Sequence, residues 1–325
     1  MFVHNTPLPA GNLSTLGKGE LWVRRGAPTI PGVNAELDRL LDTQGGVMTS
    51  AQALTCLTRR SLEAALKCGV LQQVWYGIYG RGELTDALRL RGLDLATGTT
   101  IAVCLSTAAA LYGFDTELDR RLHVLNPVGQ QLRPARGLVV HRRQGAPLTV
   151  VGGRPTTTPA WTAIEVARGL RRGRALATLD AALRSDTCER GDLRRVLKHH
   201  AGRRGVVAAR ELFELASPLA ESPMESEARL VMIDGGLPPP VLQYEIVDLN
   251  GQTWRFDFAW PEYRVAAEYD GIDWHSGPAA FLRDRRRGVA VQDLGWVVVP
   301  ILAEDVRHRP VELVARIERR LRRAA

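Results

Sequence analysis

Residues 253–270 constrain this chain most. Thr253-Trp-Arg-Phe-Asp-Phe-Ala-Trp260 reads as a strand, Pro261-Glu-Tyr-Arg264 as a four-residue turn, and Val265-Ala-Ala-Glu-Tyr-Asp270 as the returning strand. Such a turn pairs Trp260 with Val265 and Ala259 with Ala266, and sets Asp257 across from Glu268. Facing side chains in an antiparallel pair lie about 5 Å apart. Asp270 shares the face of Glu268, two residues on. Carboxylates crowded this way repel unless a cation sits between them, and hard oxygen ligands suit Mg²⁺ or Mn²⁺. A divalent ion with bound water is what phosphodiester hydrolysis needs. The plainer reading is acids ending a strand at the surface, with Asp270-Gly271 as a turn. It is weakened by Asp257 at the facing position and by His275 close behind.

The residues around the hairpin extend this reading. Ser222 and Pro223 open a helix through Ile233, with Glu225 and Arg229 at i,i+4 on one face. Glu225 could supply a further ligand or orient a water. A strand at Leu242–Val247 and a turn at Asp248–Gly251 precede the hairpin. No lysine follows Lys198. His275, with an ordinary pKa near 6.5, is the natural proton carrier. Arg283, Arg286 and Arg287 lie on a predicted helix, where they could steady phosphate charge. A solvated basic face is an equal reading for Arg285 and Arg287. The last helix, Val311–Arg323, has Leu313, Val314, Ile317 and Leu321 on one side.

Charge is unevenly spread. From Leu215 onward 17 acids face 14 arginines, a net −3, which leaves +11 of the total +8 on residues 1–214. The first part should therefore hold any polyanion. The four cysteines form no C-x-x-C pair, which fits reduced thiols in a cytoplasm. No apolar run is long enough to span a bilayer, and the first residues do not read as a signal peptide.

Residues 1–32 read as a loose arm. A short helix is predicted from Asn34 to Leu41. Thr49 and Gln52 make a capping box for a brief helix at Ser50–Leu54. Thr58 caps a second helix at Arg59–Cys68, ended by Gly69. Two short strands then flank Tyr76-Gly77. Helix, turn, helix, hairpin is the order of a winged helix-turn-helix. The second helix would present Arg59, Arg60 and Ser61 to the major groove, and its amide-rich end favours phosphate. The wing would offer Gln72, Gln73, Tyr76 and Arg81. The alternative is a helix-turn-helix used only for protein packing. Residues 85–214 read as a connecting α/β domain. Its predicted strands are Leu122–Leu125 and Gly137–Arg143, and its predicted helices lie near Trp161–Leu170, Gly173–Arg184, Asp192–His200 and Val206–Leu215. His141, His199 and His200 have no companion ligands and read as packed or exposed.

Two family resemblances follow from these residues. Val47, Thr49, Ala51, Gln52 and Ala53, with Gly77 and Tyr79 in the hairpin, resemble the N-terminal domain of the AbiEi-type antitoxins. The S-x-x-A-A-x-x-x-G run at Ser106 and the T-T-P run at Thr157 recur in proteins of this kind, although Trp161 and Glu165 replace the Arg and Asp usual after T-T-P. That resemblance implies DNA binding and autoregulation. Glu225-Ser-x-x-Arg229, Asp257, Glu268-x-Asp270-Gly271, Trp274-His275, Arg283-Asp284 and Gly295-Trp296-Val297-Val298 resemble the restriction-endonuclease-like family related to the very-short-patch repair endonucleases. That resemblance implies a mixed sheet flanked by helices, of PD-(D/E)XK type. By it, Asp257 and Glu268 hold the metal, Glu225 supports from the helix, and Asp270 and His275 line the site. The family's usual lysine is replaced by Asp270.

The expectation is thus an α/β (α+β) multidomain protein. It comprises a winged helix-turn-helix over 33–84, a connecting α/β domain over 85–214 and an endonuclease-like domain over 215–325. The expected function is a cytoplasmic, Mg²⁺- or Mn²⁺-dependent endonuclease acting on duplex DNA in repair or phage defence, with a toxin or repair protein as a further partner. The expected DNA contacts are Arg59, Arg60, Ser61, Gln73, Tyr76, Arg283 and Arg286. The competing class is a non-catalytic antitoxin-type regulator, for which the missing lysine argues. The metal site does not distinguish DNA from RNA.

Overall fold

The computed structural model describes residues 35–324 apart from 115, 118, 143, 144 and 271–277. The predicted arm, 1–32, lies outside the described residues, as do Gly271, Trp274 and His275. The contacts divide the chain into two compact units, with the boundary after Thr99.

The first unit contains α1 (Ala35–Thr43), β1 (Val47–Thr49), α2 (Ser50–Cys56), α3 (Arg59–Lys67), β2 (Gln72–Trp75), β3 (Ile78–Gly80) and α4 (Asp86–Thr97). The caps read from the sequence are present. Thr49 and Gln52 exchange the two hydrogen bonds of a capping box, and Thr58 accepts from the Ser61 N–H. Gly77 takes φ +73° at the hairpin turn, where a side chain would be strained. The sheet order is β1-β3-β2, so the hairpin gains a third strand not read from the sequence. Leu37, Leu41, Met48, Ala53, Leu62 and Ala65 bury one core beneath the three helices. α4 packs on the sheet: Trp75 donates its indole N–H to Arg89 O at 2.7 Å, and Gly92 meets Trp75, Val74 and Ile78 where a Cβ would be within about 3.2 Å of each.

The second unit begins with α5 (Leu105–Tyr112), β4 (Leu122–Leu125), β5 (Leu138–His141), β6 (Leu148–Val151), β7 (Arg154–Thr157), α6 (Pro159–Ala167), α7 (Arg172–Arg184), α8 (Arg190–His199) and α9 (Val206–Leu215). The helices bury alanine- and leucine-rich faces around Phe114 and Phe213. The β6–β7 hairpin, turned at Gly152-Gly153, was not expected; Pro155 in β7 hid it.

There follow α10 (Pro223–Asp234), β8 (Val241–Val247), β9 (Thr253–Trp260), β10 (Val265–Tyr269), α11 (Pro278–Asp293), β11 (Val297–Ile301), α12 (Ala303–His308) and α13 (Pro310–Ala324). The sheet order is β11-β10-β9-β8; β10 and β11 run parallel and the other pairs antiparallel. α10, α12 and α13 cover one face through Met224, Met232, Val306, Leu313, Ile317 and Leu321. α11 covers the other through Val291, against Phe256, Ala259, Ala266 and Trp296. The chain is therefore a multidomain α+β protein.

α10 also ties this sheet to the helices before it. Arg229 does not pair with Glu225, as the i,i+4 spacing predicted. Its guanidinium reaches Asp180 of α7 at 2.6 Å, with both side chains buried. Glu227 of the same helix is held by Arg174 at 2.8 Å and Arg171 at 3.1 Å. Asp180 is fully buried, and a buried carboxylate needs a nearby cation, which outweighs a half-solvated helix pair.

Candidate functional site

The predicted hairpin register is the observed one. Val265 pairs with Trp260, Ala266 with Ala259 and Ala267 with Phe258. A short 3-10 turn over Pro261–Tyr263 reverses the chain, with Arg264 at φ +50°. Continuing the ladder sets Asp257 against Glu268, but regular pairing stops there. Asp257 Oδ2 instead accepts the Tyr269 N–H at 2.8 Å, so the acid itself ends the ladder.

A second irregularity lies on the other side of Asp257. By the β8–β9 register Gln243 stands opposite it, and Gln243 has φ +50° inside a strand. Both strands change face here. Leu242 and Phe258 pack toward α10 and α13, whereas Tyr244 and Phe256, two residues away, pack toward α11. Simple alternation would have kept each pair on one face. The flip turns Gln243 to Glu225: its Nε2 donates to Glu225 Oε2 at 3.1 Å, and the same oxygen accepts the Glu221 N–H at 2.8 Å. Gln243 Oε1 is buried and has no hydrogen-bond partner among the described residues.

The structure therefore brings Glu225, Asp257 and Glu268 together, with Glu221 and Gln243 added. Burial pushes the Asp257 carboxyl up to about 6 despite the Tyr269 N–H, and the nearby charges of Glu225, Glu268 and Glu221 push the same way. Asp270 follows the end of β10; its N–H donates to Ile301 O at 2.8 Å and the residue is exposed. His275 and the Arg283 side chain lie outside the described residues. Arg286 is exposed on α11 and lines a cavity of about 830 Å³ with Trp254, Asp248 and Arg285. Arg287, one of the two arginines for which a solvated face was an equal reading, is the one that enters the cluster. It forms a two-pronged ion pair with Glu268, with Nη1 to Oε2 at 2.7 Å and Nη2 to Oε1. It also donates to Arg255 O at 3.1 Å and lies over the Phe256 ring.

Hard oxygen donors and an orphaned, buried amide oxygen suit a divalent cation such as Mg²⁺ or Mn²⁺. Among the described residues, however, no three His, Cys, Asp or Glu side chains are grouped as a ligand set, and both Glu268 oxygens are engaged by Arg287. The acids are in place, but one is neutralised from within.

In the first unit Arg59 and Arg60 are exposed at the start of α3. The Ser61 hydroxyl is engaged by the Thr58 hydroxyl at 2.8 Å, so it serves the cap. Gln73 is exposed, and Tyr76 at the hairpin tip is 98% exposed, with no packing role to explain an aromatic there. Arg81 pairs with Asp38.

Residues 105–170 contain a feature the sequence reading missed. Asp119 Oδ2 meets His123 Nε2 at 2.8 Å, and His123 Nδ1 meets His141 Nε2 at 2.9 Å. Arg121 grips Asp119 and holds its carboxyl well below the usual range. Glu165, where the antitoxin pattern has Asp, keeps a polar role: it is buried among Arg168 and His200, each at 2.8 Å, and Arg203 at 3.4 Å. Asp119, Arg121 and His123 are close in sequence, as are Glu165 and Arg168, but His141 joins the first group and His200 and Arg203 the second only through packing of distant segments.

Residues 101–215 match the AbiEi antitoxin C-terminal domain. The chain is also similar to the uncharacterized protein Rv2248 of Mycobacterium tuberculosis strain H37Rv and to the uncharacterized protein MT2308 of strain CDC 1551. Each is 56% identical over 268 residues, spanning 82% of this chain and 98% of the relative. Among the described residues no helix is long and apolar enough to cross a membrane.

Proposed function

Because the chain belongs to the family of these two mycobacterial proteins and matches an AbiEi antitoxin domain over residues 101–215, we propose that it is a DNA-binding protein of antitoxin type. The first unit serves as the winged-helix reader. α3 enters the major groove with Arg59 and Arg60 at its N-terminal end, and Gln73 and Tyr76 follow the backbone from the hairpin. The observation that carries this reading is the exposed Tyr76 at the tip of a Gly77-turned hairpin, together with a capped helix start at which Arg59 and Arg60 are exposed. The +11 of residues 1–214 supplies the sequence-independent attraction. Regulation of its own promoter, and capture of a toxin partner through the matched domain, follow from the antitoxin likeness. A mobility-shift assay with duplex DNA, single-stranded DNA and RNA of equal length tests it. Duplex should bind most tightly; equal or absent binding to all three would refute it.

A second reading, a PD-(D/E)XK endonuclease, is favoured by one specific observation. Glu225 of α10, Asp257 of β9 and Glu268 of β10 are near enough to one another that the charges of both glutamates help to push up the Asp257 carboxyl. On this reading Asp257 and Glu268 are the expected ligands of a divalent cation, which when bound would supply a Lewis acid and an activated water, although among the described residues the acids do not form a three-ligand group. The protein's own residues set the terms. Asp257 is desolvated, Gln243 fixes Glu225, and Arg287 offers a guanidinium to phosphate. His275 is the proposed proton carrier. A Mg²⁺/Mn²⁺ cleavage assay on duplex, nicked, mismatched and single-stranded DNA, alongside RNA, separates the readings. Cleavage lost in Glu268→Gln supports the second; no cleavage of any substrate leaves the first alone.

A further inference from the structure

Acids gathered at the end of a hairpin need positive charge or donated hydrogen bonds to stay together. In this cluster each acid draws them from the chain itself. Glu268 takes both prongs of the Arg287 guanidinium, which is braced by the Arg255 carbonyl and the Phe256 ring. Glu221 pairs with Arg255 at 2.8 Å. One oxygen of Glu225 accepts the Gln243 amide at 3.1 Å and the Glu221 N–H at 2.8 Å. Asp257 accepts the Tyr269 N–H at 2.8 Å, and burial favours its protonated form. Among the described residues no three His, Cys, Asp or Glu side chains are grouped as ligands, and an ion at Glu268 would have to expel a fixed positive charge. A guanidinium does not escape by losing its proton, and the Arg287 and Glu268 side chains are only 28% and 21% exposed, so separating them is costly. The carboxylate lining therefore does not fit a divalent cation.

We propose that Arg287 is the resident cation of this cluster: it stands where a divalent ion would be needed, locks α11 to the β9–β10 hairpin, and leaves the C-terminal sheet folded without a metal and without a metal-activated water. One side chain ties three elements, because its fork binds Glu268 of β10 and the Arg255 carbonyl of β9 from α11. Its place on the helix explains its selection. Arg287 lies one turn before Val291, on the face of α11 that packs against Phe256, Ala259 and Ala266, whereas Arg285 and Arg286 are exposed. The planar fork matches both carboxylate oxygens at once, which a lysine at this position would not do. Such a lock excludes the endonuclease reading of the cluster. It is compatible with the antitoxin-type reading and does not depend on what the first unit binds.

The experiment follows thermal melting of the full chain in a chelator and in Mn²⁺, and counts bound Mn²⁺ by electron paramagnetic resonance of the free ion, with no nucleic acid present. The proteins are the wild type, Glu268→Gln, Arg287→Gln, Arg287→Lys and the Glu268→Gln/Arg287→Gln double variant. The expected result is that Mn²⁺ shifts the melting of the wild type and of Glu268→Gln alike and binds both in the same amount. In chelator, Arg287→Gln should melt several degrees below the wild type, because Glu268 is left unpaired beside Asp257 and Glu225. The double variant should regain most of that loss, since no charge is then stranded. Arg287→Lys, which keeps the charge without the fork, should fall between the wild type and Arg287→Gln. A Mn²⁺ shift or a bound ion present in the wild type and lost in Glu268→Gln would overturn the proposal and leave a metal site standing. Arg287→Gln melting with the wild type, or losses that simply add in the double variant, would overturn the lock. If Arg287→Gln fails to fold, the comparison of the wild type with Glu268→Gln, whose amide oxygen still accepts from Arg287, decides alone.

Discussion

Asp257→Asn should make the protein more stable at neutral pH, although it removes a native charge. The folded-state pKa of Asp257 lies at about 6, against an ordinary value of 3.8, chiefly because burial disfavours its charge. The folded state therefore holds this proton more tightly than the unfolded state does. The contribution is favourable at low pH, declines as pH rises from about 3.8 to about 6, and above that stands as a full penalty. About two pH units at 1.36 kcal/mol each gives about 3 kcal/mol. The side chain is only half-buried, and solvent screening reduces this to about 2 kcal/mol. Asparagine keeps an oxygen to accept the Tyr269 N–H and places its amide among carboxylate acceptors. Urea unfolding of both proteins between pH 4.5 and 8, in the presence of a chelator, should show curves that converge at the acid end. At pH 8 the variant should lead by about 2 kcal/mol. Parallel pH profiles, or a variant less stable than the wild type at pH 8, would refute the reasoning that Asp257 is a desolvated, mutually repelled carboxylate.

Other substitutions probe separate parts of the account. Arg229→Met should destabilise the second unit by about 3–5 kcal/mol, because it strands the buried Asp180; denaturant titration measures this, and a loss below about 1 kcal/mol would contradict the pairing. Tyr76→Ala should leave melting unchanged, as the side chain is 98% exposed, while weakening duplex affinity severalfold in anisotropy titrations. If the chain cleaves DNA, His275→Ala should lower the rate by about 10²-fold with affinity nearly unchanged; unchanged cleavage would assign the proton to another group.

The parts of the fold that could be read in advance are those set by local chemistry. Thr49, Gln52 and Thr58 specify their helix starts through hydrogen bonds to neighbours three residues away. The Pro261–Arg264 turn fixes the β9–β10 register, and with it the approach of Asp257 to Glu268. What escaped the reading depends on distant partners or on rare backbone geometry. Leu242, Tyr244 and Ile246 alternate as if on one face, and nothing local announces that Gln243 adopts φ +50° and divides them. Arg229 had a plausible partner in Glu225 one turn away; the desolvation of Asp180, 49 residues earlier, claims it instead. Arg287 was one arginine in a basic run. Its selection for Glu268 follows from the packing of α11 across β10, which spacing along the chain does not encode. The Asp119–His123–His141 chain is of the same kind. The strand pairing of Leu122–Leu125 with Leu138–His141 aligns Leu125 with His141 and so brings the two imidazoles together.

The central claim is that the first unit grips DNA through α3 and the hairpin. The most direct measurement is duplex affinity as a function of salt for the full chain and for Arg59→Ala/Arg60→Ala. The account predicts a linear fall of log affinity with log salt, and a slope smaller by about 2 in the variant as two phosphate contacts are lost. A wild-type affinity insensitive to salt, or identical slopes in the two proteins, would contradict it.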